Sequence, residues 1–262
     1  MTAGIPEQYQ VVSLDTTEST NTVAKQYAAD GCNNFTLVIA REQTGGRGRY
    51  DRKWISPRGN MYWSVVLRPE QTWPLLETIS FFTAVAVGHT IDRFVRDESR
   101  IRFKWPNDVL LDERKVSGIL IESTGTIRRN KNSVERAEIE DNCQWLVVGV
   151  GINVMHFPEN ALYPATSLKE TLGLDVPVEE VTAAFSEDFL TLLGVWIEKG
   201  FSPIRKLFLA RMKGLGEQIR VRLADREFTG TMLELDTDGR LVLDQGSTRQ
   251  LISAGDVFFL QR

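Results

Sequence analysis

Two cysteines, Cys32 and Cys143, and two histidines, His89 and His156, are all that this 262-residue chain offers toward disulfide or zinc chemistry. The cysteines stand 111 positions apart with no C-x-x-C pairing, so neither a disulfide framework nor a zinc site is expected. Reduced thiols in a cytoplasmic protein are the expectation. No run approaches the roughly 18 consecutive apolar residues of a membrane span, and residues 1–10 lack the apolar segment of a signal peptide, so neither membrane insertion nor export is expected. A general excess of positive charge is missing too. A net charge of −4 and a pI near 5.4 argue against indiscriminate nucleic-acid binding. What remains, 42% apolar and 25% charged residues, suits a globular protein with one large core and a small second domain.

Against this acidic background the positive charge is concentrated in one place. Between positions 41 and 58, Arg41, Arg47, Arg49, Arg52, Lys53 and Arg58 face only Glu42 and Asp51. Gly45, Gly46 and Gly48 punctuate this stretch and free the backbone to turn N–H groups toward a ligand, while Arg47 and Arg49 add planar, permanently charged forks. A phosphate or carboxylate is the expected guest. Arg-Gly runs also occur in RNA-binding tails and ordinary surface turns, but strand-like sequence brackets this one and Trp54 adds an aromatic face beside the cations.

Residues 19–22, Ser-Thr-Asn-Thr, precede a helical stretch that Asp30-Gly31 terminates. Residues 35–41 and 60–68 read as strands on either side of the glycine loop, and residues 74–95 as one long amphipathic helix. Three more strands are expected at 101–105, 116–122 and 145–150, then helices at 178–199 and 203–212. The polar stretch 126–142 has no apolar period and is expected to be a dispensable hairpin extension or mobile loop. From Gly214 the pattern changes to short alternating strands, with Asp238-Gly239 and Gln245-Gly246 as tight hairpins. That change places a domain boundary near 213–216, dividing the chain into 1–213 and 214–262.

Three further motifs carry chemistry. Lys104-Trp105-Pro106-Asn107-Asp108 ends a strand, and its proline brings Asn107 and Asp108 out at the strand terminus. Asp108 there can hold Mg²⁺ or orient a nucleophile; a plain Asn-Asp turn is the blander reading. Lys115 opens an apolar strand with Gly118 three residues on, a pairing that suits an anion but also describes an exposed edge lysine. Gly149-Val150-Gly151-Ile152-Asn153 ends another strand without the third glycine of a dinucleotide fingerprint. Ser19, Thr20 and Asn21 can be a helix cap, a binding site at a positive helix end, or both.

Taken in order, Ser19-Thr20-Asn21, Gln43 with residues 46–54, Lys104 to Asp108, Lys115 to Leu120 and Gly149 to Asn153 resemble the biotin protein ligases. The resemblance covers about residues 13–213, and the strand-rich end matches the family's small C-terminal domain. It implies an α+β fold: a mixed-sheet catalytic domain resembling class II aminoacyl-tRNA synthetases, followed by an SH3-like β-barrel. It further implies condensation of biotin with ATP to biotinyl-5′-AMP, then transfer to one lysine of a biotin carboxyl carrier domain. Ser19, Thr20, Asn21, Gln43, Gly46, Arg47, Gly48, Arg49, Lys115 and Gly118 match the biotin side. Arg49, Arg52, Trp54, Asn107 and Asn153 match the ATP side, with Asp108 toward Mg²⁺. Arg49, Lys115 and Asp108 are the expected catalytic residues.

An acyl adenylate hydrolyses in water, so loop 45–54 is expected to be mobile without ligand and to fold over biotin. Some family members repress transcription through an N-terminal helix-turn-helix domain. Only 18 residues precede Ser19, so specific DNA binding is not expected. A lipoate ligase or octanoyl transferase, and a module that merely stores biotin, are the competing readings. Monomer and homodimer both stay open.

Overall fold

A computed structural model describes residues 2–70, 73–124, 143–159, 161, 163–223 and 225–260; the polar stretch 126–142 lies outside them. The chain begins with β1 (Gln10–Thr17), α1 (Thr20–Ala29) and β2 (Thr36–Gln43), a parallel pair with its crossover helix. β3 (Met61–Leu67), α2 (Ile79–Val95), β4 (Ile101–Lys104), β5 (Asp108–Leu111), β6 (Arg114–Ser123) and β7 (Leu146–Ile152) complete a seven-stranded mixed sheet. Its order is β1-β2-β3-β7-β6-β5-β4, antiparallel everywhere beyond β2. α3 (Leu168–Leu172), α4 (Val178–Lys199) and α5 (Phe201–Ala210) follow. A second, antiparallel sheet of β8 (Gln218–Arg222), β9 (Glu227–Leu235), β10 (Leu241–Asp244), β11 (Arg249–Ile252) and β12 (Asp256–Phe259) closes the chain in the order β11-β10-β9-β8-β12. Among the described residues no helix is long and apolar enough to cross a membrane.

Side-chain alternation gives the large sheet two unlike faces. On β3, Met61, Trp63 and Val65 enter the core beneath α2 and α4; on β7, Val148, Val150 and Ile152 do the same. The opposite face carries three successive cross-strand rows: Val66-Val147-Glu122, Ser64-Gly149-Leu120 and Tyr62-Gly151-Gly118. α1 packs Ala24 and Ala28 on Val38, Val66 and Val147, and so covers the first row. The helix begins at Thr20, leaving the other two rows as the floor of a cleft.

Several elements differ from the sequence expectation, among them α3 and β11, for which the pattern gives no sign. α2 is not amphipathic: Phe81, Phe82, Ala84, Val85, Ala86 and Val87 are all buried, because the helix lies between the sheet and the layer of α4 and α5. It starts at Ile79, after a 3₁₀ turn over Leu76–Thr78. β1 and β5 are strands that periodicity missed. β5 reaches β6 through a two-residue turn in which Asp112 and Glu113 both have positive φ, 50° and 63°, without the Asn-Gly or Asp-Gly cue that advertises such turns. The segment leading into the second sheet, and the turn between β9 and β10, dock on the β4 edge of the first. Phe103 N–H donates to Arg211 O and Phe103 O accepts from Lys213 N–H, both at 2.9 Å, and Trp105 Nε1–H donates to Gly239 O at 3.2 Å.

Trp63 is the hub of the main core. It is fully buried, its ring centroid is 4.9 Å from those of Phe185 and Phe189, and Nε1–H donates to Ser186 Oγ at 3.0 Å. Trp63→Ala is expected to lower the unfolding free energy by about 3–5 kcal/mol, read as a lower urea midpoint at unchanged m-value. A loss under about 1 kcal/mol would contradict this placement.

Candidate active site

The two uncovered rows form the floor of a cleft of about 530 Å³. Glycine lets other groups lie flat on that floor. A Cβ on Gly149 would stand 2.0 Å from Asn21 Oδ1, and one on Gly151 would stand 2.5 Å from the Trp54 indole nitrogen. Gly118 flanks the same indole, with 3.2 Å between a built Cβ and the ring. The glycines of the 149–153 motif therefore serve close packing rather than a phosphate turn.

One end of the cleft is lined by neutral hydrogen-bonding groups. Gln43 Oε1 accepts from Thr20 N–H at 2.8 Å and from Thr20 Oγ1 at 3.1 Å, while Gln43 Nε2 donates to Ser56 Oγ at 2.9 Å. Ser64 Oγ lies 2.7 Å from Thr20 Oγ1 and 2.6 Å from Asn21 Oδ1. Ser19 is the N-cap residue of α1, but its side chain makes no capping bond, and the free N–H of Thr20 at the first turn is satisfied by Gln43. Glu122 closes this network, accepting from Asn21 Nδ2 at 3.0 Å and Lys25 Nζ at 2.6 Å. Burial alone would raise the Glu122 carboxyl, but the hydrogen bonds from Lys25 and Asn21 outweigh it and hold its pKa below the usual range.

The glycine loop crosses above the floor. Gly46 O accepts from Trp54 N–H at 2.9 Å, Gly48 N–H donates to Arg52 O at 2.7 Å, and Arg47 bridges Lys53 between them. The turn at its tip is tight enough to put Tyr50 and Asp51 at φ 55°. Its three arginines fan out to different elements. Arg47 Nη2 reaches Thr22 Oγ1 at 3.2 Å and lies 3.6 Å from Glu122. Arg49 donates to Asn107 Oδ1 at 3.3 Å and Tyr50 Oη at 3.1 Å. Arg52 holds Asp256 of β12 through both of its terminal nitrogens.

The β4–β5 hairpin forms the facing wall. Lys115 Nζ pairs with Asp108 at 2.5 Å and sits 5.5 Å from the centroid of the Trp54 ring. Asn107 is held by Nδ2 donating to Ile119 O at 2.7 Å, and buried Asn153 by Nδ2 donating to Thr166 O at 3.0 Å. Lys104 is buried over the Tyr163 ring, 3.9 Å from its centroid, and that burial lowers its pKa against the opposing pull of Asp108.

Ser19, Thr20, Asn21, Gln43, Arg47, Gly48, Arg49, Arg52, Trp54, Asn107, Asp108, Lys115, Gly118 and Asn153 all line this one cleft. Gly46 does not. It sits beneath the loop, where a Cβ would stand 2.4 Å from Ser56 Oγ and 2.5 Å from Trp54 O. The sequence reading missed Ser64, Tyr62, Tyr163 and Asp256. Ser64 and Tyr62 could have been found, since they alternate with the core residues of β3. Asp256, 204 residues from Arg52, left no local signal. The donor set does not fit a metal ion held by protein alone. Among the described residues no three His, Cys, Asp or Glu side chains cluster, and Asp108 and Asp256 are both ion-paired.

Residues 13–134 match the model of the biotin/lipoate A/B protein ligase family, and residues 214–260 match the biotin protein ligase C-terminal domain. A biotin--[acetyl-CoA-carboxylase] ligase of Paracoccus denitrificans is 35% identical over 251 residues, which cover 94% of this chain and 99% of the relative. The bifunctional ligase/repressor BirA of Bacillus subtilis is 31% identical over 252 residues, 93% of this chain and 72% of that protein. Among solved structures, the biotin protein ligase of Aquifex aeolicus in complex with biotin and ATP superposes with a TM-score of 0.78 at 26% identity, over 96% of this chain and 99% of that one. In sequence and in fold, this chain belongs to the biotin protein ligase family.

Proposed function

We propose that the cleft joins biotin to ATP and passes the biotinyl group to a lysine of a carboxyl carrier domain. The chain is in this reading an ATP-dependent biotin protein ligase. One observation carries it: a single cleft has neutral hydrogen-bonding groups at one end and the cations Arg49, Arg52, Lys104 and Lys115 at the other. The neutral end, Ser19, Thr20, Asn21, Gln43 and Ser64, suits the ureido ring, whose buried polar atoms need partners. Gly48, Gly118 and Trp54 enclose the ring and tail, with Gly46 bracing the loop from below.

Adenylation brings a carboxylate onto the α-phosphate. A carboxylate oxygen bonds to phosphorus, the bond to the β-phosphate oxygen breaks, and pyrophosphate leaves. Arg47, Arg49 and Lys115 offset the repulsion between the two anions and stabilise the charge that builds at phosphorus. Arg49 is best suited because neutral oxygens of Asn107 and Tyr50 hold it. Arg52, Asn107 and Asn153 belong to the nucleotide side, where Mg²⁺ arrives with the substrate phosphates. In the second step the acceptor amine attacks the anhydride carbonyl and AMP leaves. Lys115 polarises that carbonyl, and Asp108 beside it takes the amine proton. Loop 45–54, folded over the bound acid, keeps water from the adenylate.

The same reading makes the seven-stranded sheet a class II synthetase-like domain of residues 1–213, and residues 214–262 an SH3-like barrel. The five-stranded antiparallel order β11-β10-β9-β8-β12, with a register shift at Val242/Leu243, supports the barrel.

Arg49→Ala and Lys115→Ala are each expected to slow biotinyl-adenylate formation by about 10²–10³-fold, with circular dichroism and melting temperature unchanged. Near-wild-type turnover in either would remove these residues from the reaction. An added biotin carboxyl carrier domain is expected to gain the mass of one biotinyl group, and to gain nothing when its acceptor lysine is changed to arginine. A carrier left unmodified while adenylate accumulates would limit the chain to the first step.

A further inference from the structure

Tyr163 lines the cleft where the second sheet meets the first. Its ring packs against Lys104, whose Nζ is 3.9 Å from the ring centroid, and against the Phe258 ring 5.9 Å away. A phenylalanine would make both. The hydroxyl is the part that packing does not explain, for Oη is buried and has no hydrogen-bond partner among the described residues. Burial raises the phenol pKa, with Asp256 adding to the effect, so the hydroxyl keeps its proton. The nearby cations Arg52 and Lys104 cannot accept its proton, and neither Asp108 nor Asp256 is hydrogen-bonded to it. A buried donor left this way destabilises the folded chain until an acceptor reaches it.

We propose that Tyr163 is a substrate-contacting residue whose hydroxyl donates to an anionic oxygen of the nucleotide's phosphate chain or of the departing pyrophosphate. The acceptor is an anion because the wall around Oη presents Arg52 and Lys104, which attract one. The phosphate end rather than biotin is assigned because Tyr163 shares its wall with Arg52 and Asp256, while Thr20, Gln43 and Ser64 hold the neutral end. This assignment rests on the ligase reading for the identity of the phosphate donor.

Tyr163→Phe keeps the ring and both of its contacts. The ligand-free variant is expected to melt about 2–4 °C higher than wild type, because the unpartnered hydroxyl is gone. Calorimetry with inorganic pyrophosphate is expected to show about tenfold weaker binding, with biotin affinity in the absence of nucleotide held within about twofold. A hydroxyl with a merely structural role would give the opposite pattern, a lower melting temperature and unchanged pyrophosphate binding. Pyrophosphate bound as tightly as by wild type, or a biotin affinity that falls in step, overturns the assignment. Binding needs no turnover, so a wild-type protein that binds pyrophosphate but makes no adenylate would sink the ligase reading and leave the Tyr163 contact standing.

Discussion

The site depends on how closely other groups can approach the open half of the large sheet. Gly149 and Gly151 have no side chain to hold anything off, so the amide of Asn21 and the indole of Trp54 lie directly on the strands. From Asn21 the contact runs to Ser64 and Glu122, and through Glu122 to Lys25 and Arg47. From Trp54 it runs to Gly46 and so fixes the height of the glycine loop above the floor. Placing a methyl group at either glycine would lift one side of the cleft away from the other.

Charge sets the second condition. Bringing several cations into one cleft is unfavourable unless most of their charge is compensated before the substrate arrives. Lys115 is compensated by Asp108, Arg52 by Asp256, and Lys25 with Arg47 by Glu122. These carboxylates neutralise the wall while leaving donors over, since a guanidinium has five N–H groups and Asp256 engages only two nitrogens. Arg49 is held differently, by an amide oxygen and a phenol, so more of its charge is available to a bound anion. The Arg52–Asp256 pair also draws the second sheet into the cleft, because β12 supplies the carboxylate.

Much of this was legible in the sequence because the informative residues are local. The glycine loop, the lysine motifs and the polar start of α1 are each contiguous, and their order carried the family resemblance. The ends of α4, and the hairpins at Gly239 and Gly246 with φ 80° and 88°, followed from period and turn chemistry. The misses have physical causes. α2 looked amphipathic because its pattern cannot report that a second helical layer covers its far side. β5 is four residues long and turns on Asp112-Glu113, with no glycine to mark the left-handed turn. Asp256 and Tyr163 became site residues only through long-range packing, and Gly46 left the cleft lining for the same reason.

The central claim is that this pairing of a neutral polar pocket with a cationic wall selects biotin as the carboxylate to be adenylated. Pyrophosphate release from MgATP, measured with biotin, lipoate or octanoate as the only added acid, tests it most directly. Release with biotin and only background with the other two is the predicted result. Equal or faster release with lipoate or octanoate, or none with biotin, would contradict it.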